Sequence, residues 1–270
     1  HAPHAMALYG VLADVHGNRE ALETVLAALD RRGVRKLLCL GDVVGYHPDP
    51  DECAALLHRR GALTIAGNHD LIGLGRLGFE RCSNKAMYSL KRTRRALGRD
   101  TAKWLAELPP HRVVDNSVVM VHGGVRDVQQ YMTSPAHIGQ NAELLRADFP
   151  GAKLCLFGHS HDQKVYEVAG NEVREITTTT TLMNRNLVYF INPGSVDASR
   201  KRTDKLAECM LLDTLDWSVE FLRLRYDCAA TEAKAAVYGY RIGPWTDRLY
   251  SLRRRLAVKL APKRREAPLN

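Results

Sequence analysis

The chain has 270 residues, a net charge of +9 and a pI near 9.3. With 45% apolar and 26% charged residues it can bury a sizeable core, which excludes a disordered or low-complexity chain. No apolar run approaches the ~18 residues of a membrane span, and the first residues lack the basic-then-apolar pattern of a secretory leader.

The five residues before Met6 read as added ahead of a natural start, so His1 and His4 are set aside. The run Leu8–Leu12 predicts a first strand. Asn18 is placed to cap a helix whose Ala21, Leu22, Val25, Leu26 and Leu29 recur at helical spacing, and Gly33 ends it. A second strand over Lys36–Leu40, a short helix over Asp51–Arg60 and a third strand over Ala62–Ile65 follow. This β-α-β-α-β opening predicts a mostly parallel sheet with right-handed crossovers.

Residues 80–108 read as two helices stopped by Pro109-Pro110, and Arg112–Val114 and Val118–Val121 as a hairpin around Asp115-Asn116. A helix over 136–148 leads to a strand over Leu154–Phe157. Strands near Lys164–Val168, Glu172–Thr177, Leu187–Ile191, Leu206–Asp213 and Val219–Arg225 follow with short connections, predicting a second, more antiparallel sheet. The run Thr177–Thr181 fits a strand or a loop. Residues 230–238 read as helical. Trp245, Leu249, Leu252, Leu256 and Leu260 form one stripe of a final helix whose other face is basic.

The excess positive charge is clustered. Lys91, Arg92, Arg94, Arg95 and Arg99 form one run and Arg200, Lys201, Arg202 and Lys205 another. Arg253, Arg254, Arg255, Lys259, Lys263, Arg264 and Arg265 form a third. Such runs serve solubility or draw the chain to a polyanion, either nucleic acid or an acidic membrane surface. The cysteines Cys39, Cys53, Cys82, Cys155, Cys209 and Cys228 form no CxxC pair, and reduced thiols in a cytoplasmic protein are expected.

Five polar blocks follow apolar strands. They are Asp14-Val15-His16, Gly41-Asp42, Gly67-Asn68-His69-Asp70, His122-Gly123 and Gly158-His159-Ser160-His161. Ligands gather at the carboxyl ends of buried parallel strands, so these blocks converge Asp, His and Asn side chains on one crevice. Oxygen and imidazole donors without cysteine suit Mn, Fe or Zn, with Ni and Co as alternatives. A pair of such ions about 3.5–4 Å apart clamps the attacking and leaving oxygens of a phosphoryl transfer.

The set Asp14-x-His16, Gly41-Asp42-x-x-Gly45, Gly67-Asn68-His69-Asp70, His122 and Gly158-His159-x-His161 resembles the calcineurin-like metallophosphoesterase superfamily. Asn192-Pro193-Gly194-Ser195 is similar to a segment in its small bacterial phosphodiesterases. The resemblance implies an α/β (α+β) fold, a four-layer β-sandwich of mixed sheets flanked by helices. A catalytic domain over residues 7–228 and a basic helical extension over 229–270 are expected. It further implies a first ion on Asp14, His16 and His161, a second on Asn68, His122 and His159, and Asp42 bridging both. A hydroxide held between the ions would attack phosphorus. His69 would act at the leaving oxygen, with Asp70 bonded to its other nitrogen and raising its pKa.

His47 lies on a loop that reads either as site rim or as plain surface. Tyr46, Arg126 and Arg200 are candidate rim contacts, and a basic loop at Arg200 would favour substrates with more than one phosphate. A phosphodiesterase on nucleotides or nucleic acid is expected. The alternatives are a phosphomonoesterase or protein phosphatase, and a non-catalytic scaffold on the same fold. Protein phosphatases of the superfamily usually carry Gly-Asn-His-Glu, where this chain has Asp70. Scaffolds tend to lose positions that are filled here.

Overall fold

A computed structural model describes residues 8–198, 200 and 203–260. The residues before Met6, Lys201 and Arg202 of the basic loop, and Lys263, Arg264 and Arg265 lie outside the described residues, as do the side chains of Lys259 and Leu260.

The chain opens with β1 (Leu8–Leu12), α1 (Arg19–Arg31), β2 (Lys36–Cys39), α2 (Pro50–Arg59) and β3 (Leu63–Thr64). Asn18 caps α1 by accepting the Ala21 amide at 3.1 Å, as its spacing predicts. Next come α3 (Asn68–Gly73), α4 (Asn84–Ala96), α5 (Arg99–Glu107), β4 (Arg112–Val114), β5 (Val118–Met120), α6 (Pro135–Asp148) and β6 (Leu154–Leu156). The second half contains β7 (Gln163–Ala169), β8 (Glu172–Glu175), β9 (Thr180–Leu182), β10 (Val188–Pro193), β11 (Leu206–Asp213) and β12 (Ser218–Arg225). It ends in α7 (Cys228–Val237) and α8 (Pro244–Leu260).

These strands form two six-stranded mixed sheets, ordered β3-β2-β1-β11-β12-β9 and β4-β5-β6-β10-β7-β8. The expected division into an early parallel sheet and a late antiparallel one is therefore corrected. β11 joins the first sheet antiparallel to β1, with Val11 beside Met210, and β10 joins the second parallel to β6. Each sheet has a parallel heart (β1, β2 and β3 in one, β5, β6 and β10 in the other) and antiparallel flanks. The undecided threonine run supplies β9 at a sheet edge, paired with β12.

Alternation along each strand divides the core. Val11, Leu38, Leu40, Val118, Met120, Leu154 and Leu156 meet between the sheets. Their neighbours Leu12, Leu37 and Cys39 turn outward into a second core with Leu22, Val25 and Leu57 of α1 and α2. Val119, Val121, Cys155 and Phe157 turn the other way, onto Ile138 and Leu145 of α6. Strands buried on both faces must be apolar at every position, which is why they read as unbroken runs. The result is the expected four-layer order of helix, sheet, sheet and helix.

The chain after β12 folds back on this frame. Lys234 of α7 pairs with Glu20 and Asp49, each at 2.5 Å. α8 lies against α4, where Asn84 donates to the Asp247 carboxylate at 2.8 Å and to the Ser251 hydroxyl at 3.0 Å. Among the described residues no helix is long and apolar enough to cross a membrane.

Leu156 lies fully buried between the sheets whereas Leu182 stands on the exposed edge strand. Leu156→Ala should lower stability by about 2–5 kcal/mol, and Leu182→Ala should stay within about 0.5 kcal/mol. Urea midpoints with an unchanged denaturant slope check both.

Candidate metal centre

The five polar blocks stand at the carboxyl ends of β1, β2, β3, β5 and β6, so both sheets deliver side chains to one end of the sandwich. Asp14, His16, Asp42, Asn68, His69, Asp70, His122, His159 and His161 are all buried there. Three groupings place their donor atoms within 4.8 Å of one another: Asp14, His16 and His161; His16, Asp42 and His69; and Asp42, His122 and His159. His16 Nε2 faces His161 Nε2 at 3.2 Å and Asp42 Oδ2 at 3.8 Å. His122 Nε2 lies 3.3 Å from Asp42 Oδ2 and 3.0 Å from Asn68 Oδ1. Asp42 Oδ2 thus stands between a His16 side and a His122 side, as a bridging carboxylate requires.

The backbone holds these groups. Asp14, His16, Asp42, His159 and His161 all have φ between 53° and 66°. A non-glycine residue in this left-handed region is strained, and such residues concentrate at functional sites. Glycine is required where chains approach. A Cβ on Gly67 would fall 2.1 Å from Asp42 Oδ1, and one on Gly45 would fall 2.5 Å from His16 Nδ1 and 2.6 Å from His69 Nδ1. Asn192 donates to the Gly158 carbonyl at 2.9 Å and Ser195 Oγ donates to the Asp197 carbonyl at 2.6 Å. The Val196 and Asp197 amides donate to Ala13 and Asp14. The Asn192-Pro193-Gly194-Ser195 segment therefore braces the first and fifth blocks.

Ring orientation is set from behind. His122 Nδ1 lies 2.7 Å from the Leu40 carbonyl and His16 Nδ1 lies 3.3 Å from that of Val44. A carbonyl partner holds a hydrogen on Nδ1, so that Nε2 faces the centre as an acceptor whenever the ring is neutral.

Several expectations are corrected. Asp70 does not bond to the His69 ring. Its carboxylate accepts the amides of Asp42 at 2.8 Å, Gly67 at 2.9 Å and Val44 at 3.1 Å. The Gly67 amide at the start of α3 and the Asp42 and Val44 amides of the loop after β2 are buried donors that have to be satisfied, and an acidic residue in the first turn of α3 does it. His69 is anchored instead by its backbone, whose N–H donates to Asp42 Oδ1 at 2.8 Å. His47 is neither surface nor rim. The loop carrying it zips onto the first block, where the His47 amide donates to the His16 carbonyl, and the ring is buried 2.8 Å from Asp197 Oδ1. Arg126 pairs with Asp148 away from the site.

A cavity of about 310 Å³ opens over the centre and is lined by Tyr46, Asn68, His69 and His159. Arg200 lines it too, donating to the His159 carbonyl at 3.1 Å. Tyr131, Arg81 and Gln129 also line it and were not anticipated. They come from irregular segments with no periodicity to mark them. Tyr131 is 47% exposed, its ring centroid 4.1 Å from that of His159, with the Arg200 guanidinium 5.9 Å from its face.

Residues 7–216 match the calcineurin-like phosphoesterase superfamily domain. An uncharacterized protein of Methanocaldococcus jannaschii is 28% identical over 226 residues, covering 82% of this chain and 88% of its own. A metallophosphoesterase from Sphaerobacter thermophilus superposes with a TM-score of 0.73 at 26% identity, covering 90% of this chain and 97% of its own. A hypothetical protein from Pyrococcus horikoshii shares the fold with a TM-score of 0.67 at 18% identity, over the same shares of each chain.

Crowding these groups out of water shifts their protonation. Burial opposes charge on Asp14 and Asp42, yet the facing histidines hold both carboxyls below the usual range. Burial also works against a charged His122, but Asp42 raises it to about 9. Burial lowers His69 to about 4 and His159 to about 3, so both rings are neutral near pH 7. The unfolded chain binds these two protons below about 6.5, whereas the fold refuses them until lower pH. These two rings therefore lower stability as pH drops below 6.5, by about 2 kcal/mol per ring at about pH 5. His16, also lowered by burial, acts with them. Asp70, which burial raises to about 7, takes up a proton in the fold and offsets about one ring, so the net trend is still downward. The raised His122 adds an opposite slope above about pH 6, where the unfolded ring sheds its proton and the folded one keeps it, and none near pH 5. Urea midpoints in chelator between about pH 7 and pH 5 check this; a flat profile would mean that the rings are charged in the fold.

Proposed function

The chain belongs to the calcineurin-like phosphoesterase superfamily, metal-dependent phosphoester hydrolases, and from that premise we propose a two-metal phosphodiesterase acting on nucleotide or nucleic-acid type substrates. Asp14, His16 and His161 would hold one ion, and Asn68, His122 and His159 the other. Asp42 would bridge them. One observation carries this reading: among the described residues, the fully buried Asp42 Oδ2 and both ring nitrogens of His159 have no hydrogen-bond partner. Unsatisfied buried groups cost about 1–3 kcal/mol each, so the fold is arranged for cations that would repay the cost. The donor set of carboxylate, amide oxygen and imidazole fits Mn, Fe or Zn, with Ni and Co as alternatives. Bound cations would supply an activated water and neutralise charge on the phosphoryl oxygens.

The chain's own residues supply the rest. The cavity lies directly over Asn68, His69 and His159, which puts a phosphoryl group entering it against the centre. Arg200 offers a guanidinium to its oxygens, and Tyr131 offers a ring face on which an aryl or base leaving group stacks. His69 lines the cavity in a three-ring cluster with His16 and Tyr46, whose centroids are 4.5 and 5.0 Å away. An anionic phosphodiester beside it raises its pKa from about 4 toward neutrality. The ring then gives a proton to the departing oxygen. Asp70 acts through the amides of Asp42, Val44 and Gly67, as a positioning residue.

Hydrolysis of a bis-aryl phosphate diester against the matching monoester, with Mn²⁺ added, tests the reading. Diester turnover should depend on the metal and vanish in Asp42→Ala. Preference for the monoester would make the protein a phosphomonoesterase. His69→Ala should keep its metal and lose about 10²–10⁴-fold in kcat, and full activity in that variant would remove His69 from the chemistry.

Protonation adds a separate readout. His122 is protonated near neutral pH in the free protein, so the second ion must displace a proton from it. Metal titration calorimetry in buffers of different ionisation enthalpy should show proton release. The apparent affinity should rise with pH, by up to about tenfold per unit below the His122 pKa.

A further inference from the structure

The final helix carries an apolar stripe that the described residues leave uncovered. Trp245, Leu249, Leu252 and Leu256 are 82%, 46%, 55% and 57% exposed. They recur at i, i+4, i+7 and i+11, which places them on one side of α8. The opposite side faces the protein: Asp247 and Ser251 accept from Asn84, Lys91 donates to the Tyr250 hydroxyl at 3.4 Å, and Arg254 donates to the Cys82 carbonyl. Helical spacing puts Arg248 and Arg255 along one border of the stripe and Arg253 along the other. All three are exposed, and Asp247 is the lone acidic residue of the helix.

We infer that α8 docks the protein on an anionic membrane surface, with Trp245, Leu249, Leu252 and Leu256 entering the acyl boundary and Arg248, Arg253 and Arg255 meeting acidic headgroups. An amphipathic helix of this build lies in the plane of a bilayer, its apolar face buried and its cationic borders at headgroup depth. The charges decide the occupant. The stripe has the spacing of a helix-pairing seam, but a second copy would bring arginines against arginines across the twofold. A nucleic acid would engage the arginines and leave four large apolar side chains in water. Only an anionic bilayer uses both. Docking would also orient the catalytic cavity, because Cys82 and Ser83, beside the α4–α8 contact, line its wall. The inference stands on α8 alone and does not depend on the substrate assigned to the centre.

The test is flotation of the full chain with vesicles of phosphatidylcholine mixed with phosphatidylglycerol, against phosphatidylcholine alone. Binding should require the anionic lipid and weaken with salt. Tryptophan emission should shift to the blue on binding, and Trp245→Phe should abolish that shift. The double variant Leu249→Ser, Leu252→Ser should lose at least about tenfold in binding while keeping a cooperative thermal melt, since both side chains are about half exposed. Arg248→Glu with Arg255→Glu should erase the preference for anionic lipid. Three results would overturn the proposal: no binding to anionic vesicles, equal binding by the leucine variant, or a leucine-dependent dimer in solution without vesicle binding. Oligonucleotide binding indifferent to the leucines, with no vesicle binding, would identify a polyanion site instead.

Discussion

The carboxylate of Asp42 is the constraint around which the rest is arranged. It is fully buried and ionised, and one of its oxygens accepts the His69 amide. A buried charge is tolerated only where opposite charge or dense hydrogen bonding surrounds it. Here His122 and His16 flank the second oxygen from two directions, one from each sheet. That requirement explains why the sheets are stacked so that the carboxyl ends of their parallel strands meet. It also explains why Gly67 must lack a side chain: the chain leaving β3 passes within contact of Asp42.

Holding Asp42 and its neighbours costs backbone strain. Five of the nine site residues adopt left-handed φ. Asp, Asn and His tolerate this region better than other non-glycine residues, at about 1–2 kcal/mol each. The compensation is spread over backbone hydrogen bonds between blocks: His16 to Asp42, Gly17 to Val43, His47 to His16 and Asp14 to Gly41. Asp70 ties three further amides from two blocks together. The site residues and the residues that keep them strained are thus largely the same stretch of chain. A substitution at Asp70 or Asn192 acts on the centre through backbone groups, the Asp42 amide and the Gly158 carbonyl.

The strands and the polar blocks were legible in the sequence because two physical signals coincide there. Strands buried on both faces cannot afford a polar residue, and the polar residue types that follow them are those that bind metals or turn sharply. The sheet partners were not legible. Whether β11 pairs with β1 or with its later neighbours depends on packing across the sandwich, and nothing local in Leu206–Asp213 encodes it. The partners of Asp70 and His47 escaped for a related reason. A short polar side chain bonds whichever buried donor lies nearest, and for both residues that donor or acceptor comes from a distant loop. Tyr131 and Arg81 belong to irregular segments, where position follows from the fold and not from spacing.

This division has a consequence for specificity. The side chains of the centre are fixed by strand ends that cannot shift without opening both cores. The groups that line the wall of the cavity, Tyr131, Arg81 and Arg200, stand on loops attached by a few contacts: Arg81 to Asp127, and Arg200 to the His159 carbonyl and Tyr46. Changing one of these rebuilds the wall while leaving Asp42 and its histidines in place. The tail joins in the same economical way. Arg241, just past α7, reaches the Tyr46 carbonyl at 3.2 Å and His47 Nδ1 at 3.3 Å, so the segment between α7 and α8 buttresses the loop beside the centre. The centre, its wall and the final helix are mechanically continuous, and where α8 rests determines what the cavity faces.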